Sequence, residues 1–501
     1  MAENIQLLMN GFATILSFQN LFACICGSIL GIVIGALPGI GSLAGVSLLL
    51  PLTFSFDPVT GITLLGSIYY ANMFGGAFSS ILLNIPGDGP AIMTALDGYP
   101  MAKKGKAGRA LFASNLSSFI GGMIGMVILA LVGPMLANVG LKFGPVEMSA
   151  LMMVAMTSIS WLTGESLKKG LVSTMIGFVV ITIGMDAMTG FPRYNFGSYY
   201  LMGGVTFTPF AIGLFGFSQV LMMLEDRKKI ERQEFVTQKL TLRESLLTKS
   251  DLRRLLPPAI RSGFLGTLIG VLPGSGATAS AFLCYGVQKA FKNEEPLGTG
   301  AIEGIAASEA ANNAAVAGAF APTLSLGIPG SASTAVLLGG LMAWGLKPGP
   351  LLFSNSPDFA WSTIASLFVA NIVTIFIAMG SIPFLIQILS VPIKYMIPSV
   401  TVVCFVGSYA VNYSMYGVLV MLCAGFIGYI CNKNAYPTAP ILLSVVLGPM
   451  LEMDLRKALV ISNGSPMIFF TRPISCALMI VFIAILFFPL IKKCWDSLRL
   501  S

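Results

Sequence analysis

The sequence predicts an all-α polytopic membrane protein with two inverted repeats, each interrupted by re-entrant hairpins or discontinuous helices. Three observations carry that prediction: the apolarity of the chain, a pair of Pro-Gly breaks that recurs in both halves, and the unequal charge of the loops that follow them.

Of 501 residues, 55% are hydrophobic and only 10% are charged, and mean hydropathy is +0.85. A soluble domain carries about a quarter charged residues. Apolar stretches long enough to cross a bilayer recur along the chain, as at 111–137, 201–224, 359–389 and 474–491. Roughly 12 to 14 segments have the necessary length of about 20 residues, several of them broken. Residues 1–10 lack a basic start and a small-residue cleavage site, so insertion is expected to use the first span.

The breaks come in pairs. Gly35-Ala-Leu-Pro-Gly-Ile-Gly-Ser42 recurs as Gly270-Val-Leu-Pro-Gly-Ser-Gly-Ala277, and Asn84-Ile-Pro-Gly-Asp-Gly89 recurs as Gly327-Ile-Pro-Gly-Ser-Ala332. The first pair is separated by 235 residues (Pro38 to Pro273) and the second by 243 (Pro86 to Pro329), as a duplication with a short insertion requires. Proline cannot continue a helix and glycine accepts positive φ, so each element should end one helical piece and begin another. At membrane depth the freed N–H and C=O groups cost several kcal/mol each unless protein, water, ion or cargo satisfies them.

Loop charge sets orientation. The loop after the first Ile-Pro-Gly holds Lys103, Lys104, Lys106 and Arg109, whereas its counterpart holds Lys347 alone. Opposite orientation of the copies explains the difference; parallel duplication is the competing reading. The organisation expected is a first repeat at 1–110, scaffold-type spans at 111–224, a basic cytoplasmic loop at 225–261, a second repeat at 262–353, and further spans with a cytoplasmic tail at 354–501. The basic loop carries ten Lys/Arg against six acidic residues, and the net charge of +8 reflects such loops rather than nucleic-acid binding.

Interrupted apolar segments at matching places in two halves point to the binding site of a secondary transporter. The elements carry small and hydroxyl residues and no Lys or Arg, so an anionic cargo would rest on helix N-terminal N–H groups and hydroxyls. The residues expected there are Pro38, Gly39, Gly41, Ser42, Pro86, Gly87, Pro273, Gly274, Ser275, Gly276, Thr278, Pro329, Gly330 and Ser331. An isolated break of this kind is more often a packing kink; four, paired by repeat, favour a site. Asn72, Asn84, Asp88, Glu309, Asn312 and Asn313 offer oxygens suited to a hard cation such as Na⁺, and Glu309 could instead carry a proton or sit idle at a span end.

Several chemistries are disfavoured. Histidine is absent, which removes His-based nucleophiles, metal sites and proton relays. Eight scattered cysteines without C-x-x-C spacing read as packing residues. No phosphate-binding G-x-x-x-x-G-K-[ST] occurs. The chain is not expected to be an enzyme or to need a cofactor beyond a coupling ion. A channel for small organic acids is the alternative to a transporter.

Further motifs fix a resemblance. They are Gly75-Gly76 before Asn84, Asp97-Gly-Tyr-Pro-Met-Ala-Lys-Lys-Gly105, Gly213-Leu-Phe-Gly216, Ser308-Glu-Ala-Ala-Asn-Asn-Ala314, Leu326-Gly-Ile-Pro-Gly-Ser331, Ala439-Pro-Ile-Leu442, Leu447-Gly-Pro-Met-Leu-Glu452 and Arg472-Pro-Ile-Ser475. With them, nearly the whole chain resembles the large membrane subunit of the tripartite tricarboxylate transporter family. One departure is Asp88-Gly89, where that family more often has a small hydroxyl residue after Ile-Pro-Gly. The resemblance implies a bacterial inner-membrane importer of citrate or another carboxylate, driven by Na⁺ or H⁺. It implies a small four-span membrane subunit and a periplasmic solute-binding protein as partners, an elevator-like motion of the broken repeats, and it leaves room for a homodimer.

Overall fold

The computed structural model describes residues 2–37, 40–162, 167–230, 245–274, 276–384, 389 and 393–499. Helix dominates. Strand among the described residues amounts to one antiparallel ribbon pairing Gly184–Met185 with Pro192–Arg193.

After α1 (Ala2–Ile15), the first broken unit comprises α2 (Phe18–Ala36), α3 (Gly41–Thr53), α4 (Pro58–Leu83) and α5 (Ala91–Met101). A π-turn containing Gly105 at φ 76° leads into α6 (Ala107–Gly140), followed by α7 (Pro145–Leu162) and α8 (Leu167–Ile181). Beyond the ribbon, α9 (Phe207–Ala211) passes through a π-turn at Ile212–Phe217 into α10 (Ser218–Ile230). The second unit comprises α11 (Lys249–Val271), α12 (Gly276–Gln288), α13 (Ile302–Leu326) and α14 (Ala332–Ala343). Then come α15 (Pro357–Ser381), α16 (Ile393–Ala410), α17 (Met415–Lys433), α18 (Ala439–Ile461) and α19 (Pro473–Arg499).

Among the described residues, five helical runs are long and apolar enough to cross a membrane: Phe18–Ala36, Ala91–Gly140, Phe207–Glu225, Pro357–Phe384 and Met415–Lys433. Shorter apolar helices at Gly41–Thr53, Ala332–Ala343 and Pro473–Phe487 accompany them, as the breaks require. Every residue of α13 is buried, as is α4 from Thr60 to Leu82. A helix that is buried along its whole length needs no apolar stripe: α13 is rich in Gly, Ala, Ser and Asn for close approach, whereas α4 mixes Gly, Ser and Asn with large apolar and aromatic side chains. The outer helices differ. Phe18, Phe22, Ile25 and Ile29 on α2, and Val127, Leu131 and Met135 on α6, form exposed apolar stripes at helical spacing.

The two units share one framework of contacts. A Cβ at Gly31 would meet the backbone of Ile68, and one at Gly35 the backbone of Asn72. In the second unit, Gly266 meets Ala311 and Gly270 meets Ala315. Gly75 lies on Ile32 and Gly35, as Gly318 lies on Thr267 and Gly270. Every pair obeys the same shifts, 235 for the first two helices and 243 for the rest. The helix ends repeat as well. Asn84 (φ 57°) closes α4 and Gly327 (φ 69°) closes α13 in the left-handed conformation. The amides of Ile85 and Ile328 then bond back to the carbonyls of Ser79 and Pro322.

The units also interlock. Met93 on α5 packs with Ala281 and Tyr285 on α12, while α14 packs on α3, where a Cβ at Gly340 would meet Leu50. Asp97 at the end of α5 faces Gly304 at the start of α13; Trp344, just past α14, faces Gly61 at the start of α4. Helix α6 packs along α13, and α15 packs against α1, α2 and α4.

Candidate functional site

Three of the expected residues, Pro38, Gly39 and Ser275, lie outside the described residues. The others fall into two groups. The breaks converge on one cavity of about 250 Å³, lined from the first unit by Ser42, Tyr69 and Asp88 and from the second by Gly274, Gly276, Thr278, Ser331 and Ser333. Left-handed φ at Gly41 (67°), Gly274 (83°) and Gly276 (58°) lets the chain reverse into the short helices α3 and α12.

Hydrogen bonds tie the breaks together. The Asp88 carboxylate accepts from the Ser42 amide at 3.1 Å, the Ser42 hydroxyl at 2.8 Å and the Gly89 amide at 2.7 Å. The Gly274 amide donates to the Gly330 carbonyl at 3.0 Å. Across the units, the hydroxyls of Ser42 and Ser333 are 3.2 Å apart, and those of Tyr69 and Ser331 are 3.0 Å apart. Ser331 is the N-cap of α14 and forms a capping box with Thr334. Among the described residues no Lys or Arg lines the cavity, so the donors they offer an anion are hydroxyls and backbone N–H groups at helix starts. Pro86 and Gly87 line a neighbouring cavity of about 340 Å³ that also includes Asp88, Gln219 and Asn432. Pro273, Pro329 and Gly330 supply the turns rather than side-chain donors.

The cation group lies deeper in the two central helices. Glu309 is wholly buried in the middle of α13, not at a span end. Its carboxylate accepts from Ser118 on α6 at 2.8 Å and from Thr94 on α5. Asn313 donates from Nδ2 to the Glu309 carbonyl at 3.2 Å, and its own carbonyl accepts from Tyr70 at 2.8 Å. Among the described residues, the Oδ1 atoms of Asn312 and Asn313 and both amide atoms of Asn72 have no partner. A buried amide without a hydrogen bond costs about 1–3 kcal/mol. Buried amide atoms of this kind ordinarily find a partner, here one that the described side chains do not supply. Asp88 and Asn84 do not join this group: Asp88 belongs to the cavity, and Asn84 acts through its backbone as a helix cap.

Sequence reasoning missed several members. Thr94 and Ser118 hold Glu309. Asn115 and Asn371 are fully buried and also carry unpartnered amide oxygens. Asp97 is fully buried too, and its Oδ1 takes the amides of Gly298, Gly300 and Ala301 at 2.8–2.9 Å while Tyr285 donates to its Oδ2. It thereby caps α13 from the other unit. The available signal was an acidic residue inside an otherwise apolar segment.

A larger cavity of about 420 Å³ lies under the ribbon. Its arginines are already paired: Arg193 with Glu452 at 2.7 Å and Arg456 with Asp186 at 2.8 Å. The Thr189 amide, with that of Met188 and the Arg456 guanidinium, holds the Asp186 carboxyl well below the usual carboxylate range. This cluster anchors the ribbon to α18.

Among curated proteins, an uncharacterized 52.8 kDa protein in the TAR-I ttuC′ 3′ region of Agrobacterium vitis is 38% identical over 485 residues, 97% of this chain and 96% of that protein. An uncharacterized protein in the TAR-II ttuC′ 3′ region of the same organism is 36% identical over 215 residues, 43% of this chain and 89% of that protein. No solved structure matches. Residues 21–443, which contain both broken units and the cavity between them, match the family model of the Tripartite tricarboxylate transporter TctA family, and the chain belongs to that family.

Proposed function

We propose that this chain is the large transmembrane subunit of a binding-protein-dependent secondary transporter. It imports citrate or a related di- or tricarboxylate by symport with Na⁺ or H⁺. One observation carries the reading: breaks from both units, far apart in sequence, meet in one cavity lined by hydroxyls, with no basic residue among the described ones. Helix starts and hydroxyls there offer an anion what a lysine would otherwise provide. Glu309 and the unpartnered amides of Asn72, Asn312 and Asn313 lie in the helices directly behind it and supply the coupling-ion ligands.

The reciprocal contacts of the units, α5 on the start of α13 and α14 on the start of α4, support a two-fold relation between them, which the unequal loop charges orient as an inverted repeat. Because α6 and α15 pack along the central helices, they travel with the units. Helices α7–α10 and α16–α19 then form the frame, which touches the moving part through the short helices α3 and α14. Membership of the family supports a small membrane subunit and a periplasmic binding protein as partners, in the bacterial inner membrane.

The test is uptake by the complete complex in proteoliposomes. Labelled citrate or a related acid should accumulate above its external concentration under an imposed Na⁺ or H⁺ gradient, and the accumulation should collapse with an ionophore. Equilibration without accumulation would mean a channel and would overturn symport.

A further inference from the structure

We propose that Asp88 sets the charge of the cargo, occupying with its own carboxylate the place at the start of α3 that a cargo carboxylate would take, so that acids with fewer carboxylates are favoured over tricarboxylates. The inference rests on the transport reading above and narrows it.

Three observations carry it. First, Asp88 already takes two donors at the start of α3: both the amide and the hydroxyl of Ser42 point to Oδ2, while the Gly89 amide of its own turn points to Oδ1. Second, the duplicated framework identifies what stands at the same place in the other unit. Shifting Asp88 by 243 gives Ser331, and the matched glycines agree, since Gly41 faces Asp88 and Gly276 faces Ser331. One half-site therefore presents a carboxylate and the other a neutral hydroxyl, shared with Tyr69. A cargo carboxylate is steered to the Ser331–Ser333 side, and the end facing Asp88 must donate a hydrogen bond or carry no charge. Third, among the described residues, the central cavity and the neighbouring cavity toward Gln219 and Asn432 have only Leu43 and Asp88 in common in their linings. An anion passing between them must pass this carboxylate, and like charges at contact repel most where water is excluded.

The experiment compares the wild-type membrane complex with Asp88→Ser, which copies Ser331, and Asp88→Asn, which keeps the shape. Binding of succinate and of citrate is measured by calorimetry on the purified complex, so that selectivity of the periplasmic protein does not enter. The expected result is a dissociation constant for succinate below that for citrate in the wild type, and a shift of that ratio toward citrate by at least tenfold in Asp88→Ser. Asp88→Asn should shift it in the same direction, and it decides the matter if the serine variant does not fold. An unchanged ratio in the folded variant overturns the inference. So does loss of both acids together with a changed Na⁺ dependence, which would make Asp88 a ligand of the coupling ion. Uptake by the wild-type complex is measured in parallel: if no acid is transported, the transport reading fails; if acids are transported but position 88 leaves their ratio alone, only this inference fails.

Discussion

The two broken units share a backbone and divide the chemistry. Their crossing glycines, left-handed caps and return hydrogen bonds coincide residue for residue. Their polar equipment does not. Position by position, Gly66 of α4 stands opposite Glu309 of α13, Tyr69 and Tyr70 opposite Asn312 and Asn313, Asn72 opposite Ala315, and Asp88 opposite Ser331. The shared part is what a helix pair needs to approach closely and stop in the bilayer core. The unshared part is what distinguishes one ligand from another. The repeated backbone therefore supplies the cradle, and divergence within it sets Tyr69, Tyr70, Asn72 and Asp88 in one unit against Glu309, Asn312, Asn313 and Ser331 in the other.

The shared part should be the less tolerant. At Gly35 and Gly270 an added Cβ would fall on the backbone of Asn72 and Ala315, which no rotamer change relieves. Gly35→Val and Gly270→Val should each cost about 3 kcal/mol or more by forcing the helices apart. The measurement is the yield of monodisperse membrane protein and its uptake, with both lost in both variants. Normal yield from one of them would mean that the two crossings are not equivalent.

That equivalence was legible in sequence because Pro and Gly act locally: a Leu-Pro-Gly-x-Gly element breaks a helix wherever it stands. Residue pairing across the site was not legible. Nothing in the spacing brings Ser42 to Asp88, or Thr94 and Ser118 to Glu309, since those contacts depend on how the units interlock. Asp97 shows the limit well. Its segment reads as a family motif, yet its partners lie some 200 residues on, in a loop with no periodicity. Glu309 was recognised as a candidate, but only the packing of α13 on every side places it in the interior rather than at a span end. Burial is likewise set by packing: nothing in the spacing says that α13 is enclosed by protein along its whole length.

The unshared part should respond in sign rather than in size. Asn72 carries two unpartnered amide atoms, whereas Ala315 does the same packing job without them. Asn72→Ala should raise stability by about 1 kcal/mol in the absence of coupling ion, because an unsatisfied buried group is removed. Under the proposed Na⁺ coupling, Na⁺ should stabilise the wild type and should stabilise Asn72→Ala less. Thermal unfolding with and without Na⁺ reads both effects. A destabilised variant with undiminished Na⁺ protection would make Asn72 a packing residue.

The smallest effect belongs to the ends of the molecule, where the units again differ. The end of α14 rests on the start of α4 through an aromatic contact, with the Trp344 ring against Gly61 and 6.1 Å from Phe54. The end of α5 rests on the start of α13 through charge: Asp97, then Lys104 to Glu295 at 2.7 Å, with Arg254 bridging Glu294 and Glu303 nearby. Only the second contact should depend on salt and pH. The hydrogen bond from Lys104 holds the Glu295 carboxyl below its ordinary 4.5, so the pair stabilises the fold above that pH and the contribution fades as acid protonates the carboxyl. Both side chains are about half to a third exposed (48% and 34%), so Lys104→Ala should cost less than about 1 kcal/mol. The cost should be gone in about 1 M salt, where charges are screened within about 3 Å, and should fade as the pH falls through the lowered Glu295 range. Trp344→Ala should cost more and keep its cost under all of these conditions, because buried aromatic area is indifferent to ionic strength. Parallel salt and pH series of unfolding for the two variants separate the ends; equal salt sensitivity would erase the distinction.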